Sequence, residues 1–417
     1  MAKHSKQELD AVFFLPDLRK RAPKMAEQLQ RLIADKKDVV ETVMEVFEKG
    51  AEVLASIAGD LFPIFSIVAP VVQLALDNVE SKEAEFMKAQ FQKVRDRLDV
   101  VSEEIRRVDQ EIRKSRADTA YFSVEENLTN QFRKFMDVLK AKPKFREVKK
   151  KLFLEHFSKT GGDKNLHILY AAVTGDNFSG ESVLEITLNY HEKSRRVVED
   201  FCARLKNLFC LGLIALVGQA ALKGAGEEED VLKDWGMKMK DVQGKMDIVI
   251  QDCINSFEEQ AQIDTRRMVR ERGEKTNQEL ANSVMEALGR KYDWVRWSVR
   301  VYRPPTSLLG SKKDFQCAAG KSRFQDTGPE GKLTVAVSYS ASPEPLDKPL
   351  IRRLVAEQKR QTPAAMAVAE MLFKQVPVSS IHVISTGAKD LAFSWNFADE
   401  LHFWEEHKKL YVCIHSA

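Results

Sequence analysis

The sequence predicts an α + β protein, mainly α: an elongated bundle of long amphipathic helices followed by a smaller α+β domain with an antiparallel sheet. Three observations predict it. Between residues 24 and 290 helical apolar periods dominate and prolines are rare, only Pro63, Pro70 and Pro143 following Pro23. After Arg290 prolines cluster, from Pro304 to Pro377, and alternation of period two takes over. Two continuous apolar runs without a polar face, 61–76 and 208–222, stand inside the helical part. The change of period places a domain boundary near Gly289, with the bundle over 1–289 and the α+β domain over 290–417.

The elements follow in order. A short amphipathic helix is expected over 24–49. The strongest pattern lies between Ser81 and Arg116, where Met87, Phe91, Val94, Leu98, Val101, Ile105, Val108 and Ile112 recur at alternating steps of four and three. That is an apolar seam of period 3.5 with charged flanks, as in a coiled coil. One continuous helix there would be roughly 50 Å long and would need partner helices to bury its seam. Partners are expected over 125–157, broken near Pro143; over 183–208, on Val183, Ile186, Tyr190, Val197, Phe201, Leu205 and Leu208; and from Val231 to Phe257, running on toward Leu288. The sum is about five helices, whose seams can close within one chain or between copies in a homo-oligomer.

In the C-terminal part Val295, Trp297, Val299 and Val301 alternate with polar neighbours, and Leu333, Val335, Val337 and Tyr339 repeat the pattern. Ile381–Ser385, Leu391–Phe397 and Leu410–Ile414 complete the strands, with a helix expected over 349–375. Strands in this order with one intervening helix fit an antiparallel sheet carrying a helix on one face. Trp294, Trp297, Trp395 and Trp404 fall here, and core packing explains them.

Composition bounds the function. The 417 residues are 44% apolar and 30% charged, enough to fill a core and keep a solvated surface. The net charge of +3 balances 65 basic against 62 acidic residues, which argues against a dedicated nucleic-acid binder. Cys202, Cys210, Cys253, Cys317 and Cys413 form no CxxC pair and no disulfide framework, pointing to a reducing compartment. The stretch MAKHSKQELD shows no apolar h-region, so a cytoplasmic, membrane-associated location is expected.

The two apolar runs are the candidate acting elements. In the first, Leu61, Phe62, Ile64, Phe65, Ile67, Val68, Val71 and Val72 would meet lipid; in the second, Leu208, Phe209, Leu211, Leu213, Ile214, Leu216 and Val217. Each falls short of the about 20 residues of a constitutive span. The runs are therefore expected to be sheltered in the soluble form and exposed on contact with lipid. The competing expectation is that they are permanent core. The basic run 140–151 supplies headgroup candidates: Lys142, Lys144, Arg146, Lys149, Lys150 and Lys151.

Enzymatic chemistry finds little support. No G-x-x-x-x-G-K-[ST], G-x-G-x-x-G or H-E-x-x-H is present. The GKS triplet of Gly320–Ser322 lacks the upstream glycine, where Phe315 stands. In DELHFWEEHKK, His402 and Glu406 are spaced to share a helix face, with no third ligand nearby. No catalytic residue, metal, cofactor or small-molecule substrate is assigned; the expected partners are membrane lipid or a protein, and not nucleic acid.

The motifs LDNVES (Leu76–Ser81), FMKAQF (Phe86–Phe91) and RLDVVSEEI (Arg97–Ile105) resemble the fish rapunzel proteins and the related N-terminal region of cephalotoxin-like proteins. The resemblance covers about 30 residues closely. It implies a largely helical, non-enzymatic vertebrate protein, linked on the rapunzel side to development and innate signalling and on the cephalotoxin side to secreted venom proteins. Long helices around sheltered apolar runs are similar in architecture to α-helical pore-forming toxins. The functional expectation is a membrane-active, non-enzymatic helical protein; the alternative is a soluble intracellular interaction or regulatory protein.

Overall fold

A computed structural model describes residues 72, 76, 82–99, 103–114, 120–175, 181–224, 228–305, 315–328, 331–357 and 364–417. The expected helix over 24–49 and all of the first apolar run except residues 72 and 76 lie outside them. The chain divides into two compact units, one made of residues through Glu192 with Arg196–Asp252, the other of Lys193–Arg195 with Cys253–Ala417.

The first unit is helical throughout its described residues. Its helices are α1 (Lys82–Leu98), α2 (Glu103–Lys114), α3 (Ala120–Leu139), α4 (Pro143–Lys159), α5 (Lys164–Thr174), α6 (Val183–Tyr190), α7 (Arg195–Lys223) and α8 (Glu228–Asn255). The period-3.5 positions Met87, Phe91, Val94, Leu98, Ile105, Val108 and Ile112 are all buried. They lie on two helices, since α1 ends at Leu98 where one continuous rod was expected.

Other boundaries follow local chemistry. Pro143 opens α4, where its missing N–H costs nothing. Gly175, at φ 82°, closes α5 in the left-handed conformation. Ser182 and Glu185 form a capping box at the start of α6. The expected continuous helix over 183–208 is two helices, since Glu192 (φ 49°) and Lys193 (φ 59°) turn the chain between α6 and α7. The second apolar run is thus the C-terminal half of a 29-residue helix that begins amphipathic.

The second unit adds α9 (Phe257–Arg270) and α10 (Asn277–Lys291) to the C-terminal strands. The boundary therefore lies at Asp252/Cys253, ahead of the expected one at Gly289. Helix α10 packs on strands β1 (Arg296–Arg303) and β6 (Lys389–Trp395), and α9 packs on β3 (Arg323–Thr327). Their apolar faces fill the core above the sheet, with Leu280, Val284 and Leu288 against Trp297, Val299 and Val301.

Two antiparallel sheets replace the single one expected. One has the order β3-β4-β1-β6, with β4 at Thr334–Ser340. The other has the order β2-β5-β8-β7, from β2 (Gln316–Ala319), β5 (Ser379–Ser385), β8 (Leu410–Ser416) and β7 (His402–His407). The expected helix over 349–375 is α11 (Lys348–Ala356) and α12 (Ala365–Gln375), and α12 covers β2 and β5. The unit is layered helix, sheet, sheet, helix. The chain passes from one sheet to the other at Gly320 (φ 88°), where a Cβ would sit 2.0 Å from the Ser379 carbonyl oxygen. The GKS triplet is this crossing, not a phosphate loop.

Residues 402–407 form a strand, correcting the expected helix over DELHFWEEHKK. They pair with β8 through a tight turn at Lys408 and Lys409, Lys408 having φ 54°. Partners in a sheet override the i,i+4 spacing, and in a strand His402 and Glu406 stand about 13 Å apart.

Candidate functional site

Helix α7 is the one described helix long and apolar enough to cross a bilayer. All seven second-run candidates (Leu208, Phe209, Leu211, Leu213, Ile214, Leu216 and Val217) are buried. So is every residue from Leu205 to Gly218, including Lys206 and Asn207, which leaves that stretch no solvent-facing side. A helix apolar all round can exist in water only in this state. Of the first-run candidates, Leu61, Phe62, Ile64, Phe65, Ile67, Val68 and Val71 lie outside the described residues. Val72 is buried.

Two glycines let neighbours close on α7. A Cβ at Gly212 would stand 2.5 Å from Leu166 Cδ2 and 2.8 Å from Leu128 Cδ2, and one at Gly218 would stand 2.3 Å from Phe135 Cε2. Leu128 and Phe135 belong to α3 and Leu166 to α5. Above them Arg204 donates to both carboxylate oxygens of Glu125, at 2.8 and 2.9 Å, with Asp109 Oδ2 3.7 Å away. Burial pushes the Asp109 carboxyl up, and Arg204 opposes that.

The headgroup candidates sit on α4 and the residue before it. Phe153 and Phe157 point inward; the Phe153 ring lies 5.5 Å from Phe135 and 5.8 Å from Phe157. Lys142, Lys144 and Lys151 are exposed, whereas Arg146, Lys149 and Lys150 are half-buried. Lys149 Nζ lies 3.5 Å from Asp137, and Lys144 Nζ lies 4.8 Å over the Phe145 ring. Between the basic side chains Phe145, Val148 and Leu152 are 51%, 59% and 48% exposed. Reading the run for charge alone passes over this apolar stripe. Its signal is the spacing of three and four on a helix whose inward face is already supplied by Phe153 and Phe157.

The second unit holds a feature that sequence reasoning missed. The layers between helix and sheet are apolar, whereas the layer between the two sheets is mixed, with an apolar cluster of Tyr302, Ala336, Ile384 and Ala388 beside a polar one. Alternation along β1 turns Trp297, Val299 and Val301 to the helices and Ser298 and Arg300 to the facing sheet. Arg300 is 2% exposed. Its Nη1 donates to Ser338 Oγ at 2.9 Å, Ser298 Oγ at 3.1 Å and Cys413 Sγ at 3.2 Å. His415 Nε2 lies 2.7 Å from Ser338 Oγ, and His402 Nε2 lies 3.2 Å from Ser298 Oγ. Burial, reinforced by the Arg300 charge, lowers both imidazoles to about 3. Among the described residues no carboxylate pairs with Arg300. The layer holds one fixed positive charge and keeps its histidines neutral.

The sequence comparisons agree with the bundle. The family model described as cephalotoxin-like middle helical domain matches residues 77–274. Protein rapunzel of Danio rerio is 34% identical over 201 residues, covering 48% of this chain and 88% of that protein. No solved structure matches the chain. The family match takes in α1–α9 and ends before α10, so the two sheets lie outside it.

Proposed function

The chain belongs to the rapunzel/cephalotoxin-like family, and on that footing we propose that its bundle is a non-enzymatic membrane-engaging device that shelters α7 in water and delivers it to lipid. One observation carries this reading: a helix of bilayer length is buried on every side from Leu205 to Gly218. The toxin-like helical fold of the family is consistent with it. Burial of that surface, at about 25 cal/mol per Å², holds the closed form together. A bilayer offers comparable burial to the same residues, so lipid is the environment in which leaving the bundle costs least.

A second reading has an observation of its own. The fit of Gly212 and Gly218 against Leu128, Leu166 and Phe135 is that of a permanent core. On that reading the protein is a cytoplasmic interaction partner that docks through its charged helices. Dye-loaded vesicles containing phosphatidylserine separate the two. Delivery of α7 predicts dye release that rises with protein concentration. Intact vesicles across lipid compositions and from pH 5 to 8 would remove the membrane reading and leave the permanent core.

A further inference from the structure

We propose that the exposed face of α4 is a docking site for an anionic phospholipid surface, and that it acts with the bundle closed. This deepens the membrane reading by naming the lipid class and the element that meets it first. A 17-residue helix carries Phe145, Val148 and Leu152 in one stripe, each about half or more exposed. Elsewhere in the described bundle, exposed large apolar side chains stand alone or several turns apart, as Tyr190, Met237 and Ile248 do.

Charge complementarity decides the occupant. Residues 142–151 carry six basic side chains against one acidic residue, Glu147. On the helical wheel Lys144 and Lys151 border one side of the stripe and Lys149 the other. Long lysine stems can lie along the apolar strip while their ammonium groups reach outward, as Lys144 already does over the Phe145 ring. An apolar strip with basic borders is the arrangement of a helix lying in a headgroup interface, where the strip enters the acyl boundary and the lysines meet phosphate. An acidic protein would satisfy the lysines as well, but it gains less from an open, convex strip of two aliphatic side chains and one aromatic.

Docking needs no rearrangement. Phe153 and Phe157 hold the other side of α4 against Phe135 while the stripe faces out. Binding and delivery of α7 are therefore separable in one titration.

The test is co-sedimentation of the full chain with phosphatidylcholine vesicles, with and without phosphatidylserine. Wild-type protein is expected to sediment with the anionic vesicles and to come off in 0.5 M salt. K144E with K151E should weaken binding by about tenfold or more. F145S with L152S should weaken it similarly without changing charge. Both pairs are exposed, so unchanged circular dichroism and melting will show an intact fold. Full binding by either double variant, equal binding to neutral vesicles, or no wild-type binding would overturn the proposal. Capture by an acidic peptide surface without vesicle binding would reassign the face to a protein partner. Sedimentation of wild-type protein without dye release would sink the delivery of α7 and leave docking standing.

Discussion

Burial of His402 and His415, reinforced by the Arg300 charge, sets how the second unit responds to acid. The Arg300 guanidinium is buried between the sheets beside His402 and His415, and a second charge there would face it with little water to screen it. Both histidines therefore stay neutral in the fold, down to about pH 3, while in the unfolded chain they take protons below about 6.5. Stability is full above 6.5 and is lost as pH falls from there toward 3, at roughly 1 kcal/mol per pH unit for each histidine. The expected outcome is a steep fall in urea midpoint between pH 6 and 4. It can be followed by tryptophan fluorescence, since Trp294, Trp297, Trp395 and Trp404 all lie in this unit. H402Q with H415Q should make that fall shallower, with His382, likewise buried and lowered, carrying part of the remainder; a variant with the full wild-type slope would show that other groups carry it. His382 is buried in the same layer as His415. Their shared layer was not legible, because it depends on which strands face each other across the two sheets.

At the scale of elements, α7 and α8 use glycine in opposite ways. Gly218 leaves room for the Phe135 ring, which in turn packs on Phe153 of α4. Gly244 of α8 has nothing within 4 Å of where a Cβ would stand. G244A should therefore stabilise the bundle by about 0.5–1 kcal/mol through helix propensity. G218A gains the same propensity but pushes a ring, so it should destabilise by about 1–2 kcal/mol net. Urea unfolding followed by far-UV circular dichroism reads both, and equal signs would mean that the Phe135 contact carries no weight. The seam over 87–112 was legible because burial follows its period on both helices. The end of α1 at Leu98 and the turn at 191–194 were not, because apolar period continues across them. The β7 strand was missed for a related reason: its sequence suits a helix face locally, and pairing with β8 decides otherwise.

On the scale of the whole molecule, the chain has two compact units. The family match covers the bundle together with α9, and the membrane chemistry we propose belongs to the bundle: an enclosed helix of bilayer length and an outward basic face with an apolar stripe. The sequence predicted this division in kind, mainly helical and then mixed, since a change of period survives even where single boundaries shift. It misplaced the join because α9 and α10 have helical periods like those of the bundle, yet bury them on a sheet. The account turns on whether α7 leaves its enclosure. The direct measurement is photolabelling from a hydrophobic probe dissolved in phosphatidylserine-containing vesicles, followed by mass spectrometry of the peptides. The account predicts heavy labelling within 208–222 when vesicles are present. Labelling confined to Phe145, Val148 and Leu152, with 208–222 unmarked, would contradict it.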